Sequence, residues 1–184
     1  EVKGAKVPST KGDQSAGFLE GILAATDDLG MVSTIIHGTT VATNALLERK
    51  GAKTGIITTK GFRDILEMRR RDRPTTWGLW GQFTPVVERQ YRLEVAERTY
   101  ADGTVAEVVD DAEVEAAAKA LIAEGCEGVC LFFVNGYANV SNEAKAAAVL
   151  RRVWPNDYIS VATEILPEIR EFERCSTAAL NAYL

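Results

Sequence analysis

The sequence has few of the residues that usually build metal or disulfide frameworks. It contains one histidine and three cysteines in 184 residues. The cysteines, Cys126, Cys130 and Cys175, show no metal-type C-x-x-C spacing and predict reduced thiols. Both G-x-G-x-x-G and the P-loop pattern are missing, so the usual phosphate-binding motifs do not apply. No apolar run approaches the roughly 18 residues that a membrane-spanning helix needs.

The charge balance narrows the classes of partner. The formal net charge is −5, which argues against nucleic acid and against an anionic membrane as partners. The polar first residues, EVKGAKVPSTKGD, predict no signal peptide, and together with the reduced thiols they predict a cytoplasmic protein. With 46% hydrophobic and 26% charged residues, the chain can bury a substantial core.

Apolar periodicity predicts an α/β protein in which helices and strands alternate. The predicted helices cover 14–29, 41–50, 62–69, 110–124, 141–153 and 168 onward, and the predicted strands cover 32–38, 52–61, 128–134 and 158–165. A hairpin is predicted over 91–109, where Asp102-Gly103 is a strong turn signal. We therefore expect a first α/β part over 1–75, a loop and hairpin insertion over 76–110, and an α/β continuation over 111–184.

One short motif places the only histidine between a predicted strand and a predicted helix. In HGTTVATN, Gly38 would let a ligand approach the backbone, and the hydroxyls of Thr39 and Thr40 would donate to an anion at the start of the helix. Thr43 and Asn44 would lie in the first helical turn. The alternative is a plain structural turn, in which one threonine caps the helix and His37 has no chemical role.

Three further groups have both a functional and a structural interpretation. Arginines 69, 70, 71 and 73 are a candidate anion site, or a solvated or subunit-facing run. Trp77 and Trp80 flank Gly78 and would line a substrate pocket, a subunit contact or the core. Residues 58–61, TTKG, repeat the strand-to-helix pattern and are a weaker ligand candidate. The charged residues Glu168, Glu171, Glu173 and Arg174 are expected to form pairs on a helix surface.

A long segment carries a family resemblance. HGTTVATNALLERKGAKTGIITTKGFRDILE resembles a signature segment of the hydantoinase A/5-oxoprolinase family, which includes subunits of acetone- and acetophenone-type carboxylases. The resemblance continues through RDRP, YRLEVAERTYADG and EILPEIREFERCSTAALNAYL, so it spans almost the whole chain. It implies a ribonuclease H-like domain of the actin-like ATPase type, with a mixed sheet and flanking helices.

The resemblance also implies a reaction and its participants. ATP with Mg²⁺ would phosphorylate the carbonyl oxygen of a lactam or imide before hydrolysis, with a hydantoinase B-type second subunit or domain as partner. The alternatives are a subunit of an ATP-dependent ketone carboxylase, and a non-catalytic assembly domain. In the first case His37, Thr39 and Thr40 are the candidate catalytic residues. Gly38, Thr39, Thr40, Thr43 and Asn44 would bind ATP, and Arg70, Arg73 and Trp77 would bind the substrate.

Two differences from the family pattern bear on these expectations. The family's Asp-Gly-Gly-Thr phosphate loop normally lies upstream of the position of Glu1, so we expect a fragment with negligible ATPase activity of its own. In NGYANVSNE, Asn135 and Asn142 stand where family members often have histidine. The resemblance therefore implies no metal-binding or proton-transfer role for these two positions.

Overall fold

The computed structural model describes residues 2–10, 12–26, 28–70 and 83–184. The chain divides into two compact units, Glu1–Thr40 (the first unit) and Val41–Leu184 (the second unit). Within the described ranges, no helix combines the length and the apolar character that crossing a membrane requires.

The first unit contains one long helix, α1 (Gln14–Ala25), and a 3₁₀ turn (Leu29–Met31). Asp13 caps α1 by accepting a hydrogen bond from the Ser15 amide at 3.0 Å. The hydroxyl of Thr10 accepts from the Gly17 amide at 3.1 Å and ties the preceding segment to the helix. The helix ends at Ala25, four residues before the predicted limit.

The strand predicted over 32–38 is wrong. This segment is neither helix nor strand, and Ile35 and Ile36 are 57% and 93% exposed. A strand forms only where a neighbouring strand can satisfy its backbone groups, and no described residue pairs with this segment. The apolar run has the composition of a buried strand, but composition does not show whether a neighbouring strand is present to pair with it.

The second unit is built on a four-stranded parallel sheet. Its strands are β1 (Thr54–Thr59), β2 (Arg92–Val95), β5 (Gly128–Phe132) and β6 (Ile159–Val161), in the order β2-β1-β5-β6. A separate antiparallel pair, β3 (Arg98–Thr99) and β4 (Val105–Glu107), forms the hairpin around the predicted Asp102-Gly103 turn. The side chain of Asp102 accepts from the Thr104 amide at 2.9 Å, which explains the strength of that turn signal.

The second unit has helices on both faces of the parallel sheet. Its helices are α2 (Val41–Leu47), α3 (Ile65–Met68), α4 (Asp111–Ala123), α5 (Ser141–Val153), α6 (Ala162–Ile165) and α7 (Glu171–Tyr183). Helices α4 and α5 lie on one face and α7 lies on the other. Ile57, Val129 and Leu131 pack towards α4 and α5 on one face, whereas Cys130 and Phe132 pack towards α7 on the other. The alternation follows from the two-residue period of a strand, and burial on both faces explains why β1 and β5 are apolar or small throughout.

The α/β prediction is confirmed, with local corrections. The helices predicted over 110–124 and 141–153 are observed within one residue of those limits. Residues 92–95 belong to the parallel sheet and not to the predicted hairpin, because Arg92 and Leu93 pair in register with Ile56 and Ile57. The second half of the strand predicted over 158–165 is instead helix α6.

Gly55 in β1 lies where helix α4 packs closely against the sheet. A Cβ at this position would lie 2.6 Å from Leu121 Cδ1 of α4. We expect Gly55→Ala to lower the free energy of unfolding by about 1–3 kcal/mol, since a methyl group would overfill a closely packed contact. Chemical denaturation of the single variant gives the cost.

The double-mutant cycle tests the cause. In a Leu121→Ala background the added methyl group has room, so Gly55→Ala should cost far less there. Equal costs in the two backgrounds would show that the destabilisation comes from the strand backbone and not from Leu121.

Candidate functional site

The sequence-predicted residues around the histidine lie at the end of the first unit and the start of the second. His37 packs its ring against Phe18 of α1, with ring centroids 4.4 Å apart. Gly38 has open space beside its backbone, since no heavy atom lies within 4 Å of the place a Cβ would take. Helix α2 begins at Val41, directly after Thr40, and places Thr43 and Asn44 in its first turn. That these residues form one nucleotide site stays a prediction.

The second predicted group is only partly described. Arg70 lies at the end of α3, whereas Arg73 and Trp77 fall outside the described residues, as do Arg71 and Trp80. Arg70 lines a pocket of about 560 Å³ between α3 and the first turn of α7. This pocket lies where β1 and β5 end, because Gly61 and Val134 also line it. The carboxyl ends of parallel strands are the usual ligand-binding edge of such sheets.

Hydrogen-bond donors in and after the TTKG turn that follows β1 are bound by side chains of the protein itself. The carboxylate of Glu94 accepts hydrogen bonds from the amides of Gly61 at 2.7 Å and Arg63 at 3.3 Å. The hydroxyl of Thr59 donates to the Glu97 carboxylate and accepts from the Val134 amide at 2.9 Å. These hydrogen bonds fix the carboxyl edge of the sheet. They also occupy the amides of Gly61 and Arg63 and the hydroxyl of Thr59.

Glu97 is the centre of a buried polar network that the sequence did not reveal. Its Oε2 accepts from Asn142 Nδ2 at 2.9 Å, and burial raises the pKa of its carboxyl group. Asn142 also donates to the Glu107 carbonyl at 2.8 Å and accepts from the Val109 amide at 3.1 Å. All three polar positions of the Asn142 side chain are thus used, and the asparagine ties the hairpin to α5.

Asn135 has an equally structural role. It adopts a positive φ of 56°, a conformation that asparagine tolerates better than most residues. Its Nδ2 donates to the Thr99 carbonyl of β3 at 2.9 Å. Among the described residues, no group of three or more His, Cys, Asp and Glu side chains is placed to hold a metal ion. The two asparagines therefore act as connections between the hairpin and the carboxyl edge.

The expectation that Arg174 lies on a helix surface is wrong. Arg174 of α7 and Glu143 of α5 are both fully buried and face each other beneath the loop that follows β5. Arg174 Nη2 donates to the Phe133 carbonyl at 3.0 Å, and the guanidinium lies over the rings of Phe132 and Tyr137. Helical spacing could not show this, because charged residues at such positions are usually solvated.

Gly136 makes the buried pair possible. A Cβ there would overlap Glu143 Oε2 and lie 3.3 Å from Arg174 Nη1. No hydrogen bond of normal geometry reaches either Glu143 oxygen from the described residues. Burial raises the pKa of Glu143 to about 7, although the guanidinium of Arg174 and the hydroxyl of Thr163 oppose the shift. Sequence reasoning missed this pair; the only available signal was two opposite charges in helices that flank the same strand.

With this geometry established, comparison with known proteins identifies the family. The profile of the family described as the hydantoinase/oxoprolinase N-terminal region matches residues 1–154. The chain belongs to this family. The caprolactamase alpha subunit of Pseudomonas jessenii is 32% identical over 190 residues, which cover 97% of this chain and 27% of that protein. The acetophenone carboxylase gamma subunit of Aromatoleum aromaticum is 28% identical over 202 residues, covering 98% of this chain and 28% of that protein.

A solved structure agrees with the family assignment. The crystal structure of ATP-dependent caprolactamase from Pseudomonas jessenii superimposes with a TM-score of 0.82 at 32% identity, over 98% of this chain and 28% of the other. The fold is thus that of the N-terminal domain in this family of ATP-dependent enzymes, as the resemblance implied. The chain spans about a quarter of the length of these two relatives.

The buried Glu143 predicts a particular dependence of stability on pH. Its pKa of about 7 in the folded protein is higher than the ordinary 4.5, so the folded state holds this proton more tightly than the unfolded state does. Stability from this group is therefore full below pH 4.5 and falls as the pH rises to 7, by about 3 kcal/mol in total. Glu143→Gln removes the titrating carboxyl group. Between pH 4.5 and 7 the free energy of unfolding of the wild type should therefore fall by about 3 kcal/mol relative to that of the variant.

Denaturant unfolding of both proteins at several pH values measures the effect. Glu115→Gln on α4 is the matched control, because the Lys119 side chain lowers the pKa of that partly exposed carboxyl group. The difference in unfolding free energy between the wild type and Glu115→Gln should show no such fall between pH 4.5 and 7. A Glu143→Gln difference that is constant between pH 4.5 and 7 would contradict the raised pKa.

Proposed function

We propose that the intact protein is a subunit of an ATP-dependent enzyme that activates a lactam or imide carbonyl by phosphorylation before hydrolysis. The observation that carries the proposal is the similarity to ATP-dependent caprolactamase, which extends over nearly the whole chain in both sequence and fold. An amide is a poor electrophile, and phosphorylation of its oxygen supplies a leaving group. ATP, bound with Mg²⁺, provides that phosphoryl group.

The proposed ATP contacts are Gly38, Thr39, Thr40, Thr43 and Asn44. The open space beside Gly38 fits this role, because a phosphate can approach a backbone that carries no side chain. Thr39 and Thr40 would donate hydrogen bonds to the phosphate or to the carbonyl oxygen as negative charge develops there. His37 would orient the substrate carbonyl or transfer a proton.

The proposed substrate contacts are Arg70, Arg73 and Trp77. Arg70 supports this assignment by lining the pocket at the carboxyl edge of the sheet. The proposed partner is a hydantoinase B-type subunit or domain, in which the remaining part of the reaction takes place. Relatives named as alpha and gamma subunits support a multi-subunit enzyme.

A second candidate is a subunit of an ATP-dependent ketone carboxylase. The similarity to the acetophenone carboxylase gamma subunit favours it, at lower identity than that to the caprolactamase subunit. In this case the phosphorylated oxygen would belong to an enolate, and bicarbonate would supply the carboxyl group. The two reactions share the activation step and differ in the second reactant.

One assay separates these candidates. The intact protein and its B-type partner are incubated with ATP and Mg²⁺, and ADP and organic products are measured with a lactam, an imide or a ketone, each with and without bicarbonate. The hydrolase proposal expects ADP release and ring-opened product without bicarbonate. ADP release that requires both ketone and bicarbonate would establish the carboxylase instead, and no turnover with either would leave the assembly role.

Variants at the HGTT segment test its place in the reaction. Thr39→Val and Thr40→Val should each lower kcat by about a hundredfold if the hydroxyl stabilises the transition state. If a threonine only caps α2, its loss should instead cost roughly 1 kcal/mol of stability with kcat almost unchanged. Turnover and unfolding of the intact enzyme are measured side by side.

Gly38→Ala gives the sharper comparison. The added methyl group meets no atom of the described chain, so stability should stay within about 0.5 kcal/mol of the wild type. It would block a phosphate from the backbone, so the Michaelis constant for ATP should rise. Wild-type kinetics in this variant would remove Gly38 from the nucleotide site.

A further inference from the structure

The pocket between α3 and α7 is lined by both apolar and charged side chains. Phe62, Ile65, Met68 and Phe172 supply apolar surface, and Arg69, Arg70 and Arg170 supply positive charge. A volume of about 560 Å³ is in the range of small-molecule sites. All of these described lining residues belong to the second unit.

Three acidic residues line the pocket, Asp64, Glu171 and Glu173, and two of them, Asp64 and Glu173, accept hydrogen bonds from arginines. Asp64 accepts two hydrogen bonds from Arg89, from Nε at 2.6 Å and from Nη2 at 3.0 Å. Glu173 accepts from Arg70 Nε at 2.5 Å and lies 3.8 Å from Arg170 Nη1. The Glu173 carboxylate thus lies close to two arginines, Arg70 and Arg170. Its hydrogen bond to Arg70 uses a single guanidinium nitrogen, Nε.

This arrangement resembles a carboxylate site occupied by a side chain of the protein. A guanidinium has five N–H donors and binds carboxylates best through two parallel hydrogen bonds. The Arg70 side chain is 58% exposed, so a ligand can reach its remaining donors. The 13-residue helix α7 begins beside the pocket, and its dipole favours negative charge there, where its first turn already carries Glu171 and Glu173.

We propose that this pocket binds a small carboxylate with an apolar body, which competes with Glu173 for Arg70 and Arg170. The apolar part would lie against Phe62 and Phe172, and the carboxylate would take the two arginines. The inference shares with the proposed function only the assignment of Arg70 as a ligand contact, since a lactam or imide is not itself a carboxylate; the pocket and the reaction are therefore separate claims. Binding can be measured without ATP or turnover, so a wrong reaction and a wrong pocket give different results.

The experiment titrates the intact protein with benzoate and with benzyl alcohol, its neutral counterpart, by ligand-observed NMR. We expect benzoate to bind at least tenfold more tightly than benzyl alcohol, because charge-assisted hydrogen bonds are the strong ones. Arg70→Ala should remove most of this preference. Arg151→Ala is the matched control, because Arg151 is a similarly exposed arginine that pairs with a glutamate, Glu164, and does not line the pocket.

Glu173→Gln tests whether Glu173 competes with the ligand. If the ion pair were only structural, the substitution would not tighten benzoate binding. It keeps the shape of the side chain and releases both arginines, so the Kd for benzoate should fall several-fold. An unchanged Kd in this variant, or equal effects of Arg70→Ala and Arg151→Ala, would overturn the proposal. If benzoate binds as expected but the enzyme shows no lactam or imide turnover, the proposed reaction fails and the pocket stands.

Discussion

The pairing of β1 with β5 is the contact on which the second unit depends. These two strands run parallel through the centre of the sheet, with Ile56 opposite Cys130 and Ile57 opposite Leu131. Both strands are buried on both faces, so every backbone donor and acceptor in them must be satisfied by the ladder. The helices on either face then pack against a surface that these strands define.

The polar groups at the carboxyl edge follow from that pairing. Where β1 and β5 end together, Thr59, Glu97 and Asn142 link three separate segments by side-chain hydrogen bonds. The pair of Glu143 and Arg174 lies nearby without a complete set of hydrogen bonds. These two buried side chains come from α5 and α7, and both lie next to Gly136 in the loop after β5.

The functional proposals concern two different places in the chain. The HGTT segment offers an open backbone and hydroxyl donors, which suit a phosphate. The pocket at the carboxyl edge combines apolar surface with arginines, which suit a small anionic molecule. The described lining residues of the second site belong to one compact unit, so its binding properties can be tested separately from catalysis.

The sequence by itself determined the features that depend on neighbours along the chain. The limits of α4 and α5 and the turn at Asp102-Gly103 follow from local sequence signals, and the β1 and β5 runs follow from apolar composition. The tertiary structure decided what depends on distant partners. Residues 32–38 remain without a strand because no described segment pairs with them, and residues 92–95 join the parallel sheet because β1 offers an edge. Arg174 is buried because Glu143, which belongs to a different helix, meets it beneath Gly136. A local sequence pattern indicates which secondary structure a residue favours. Which distant group its side chain contacts is decided only when the chain is packed.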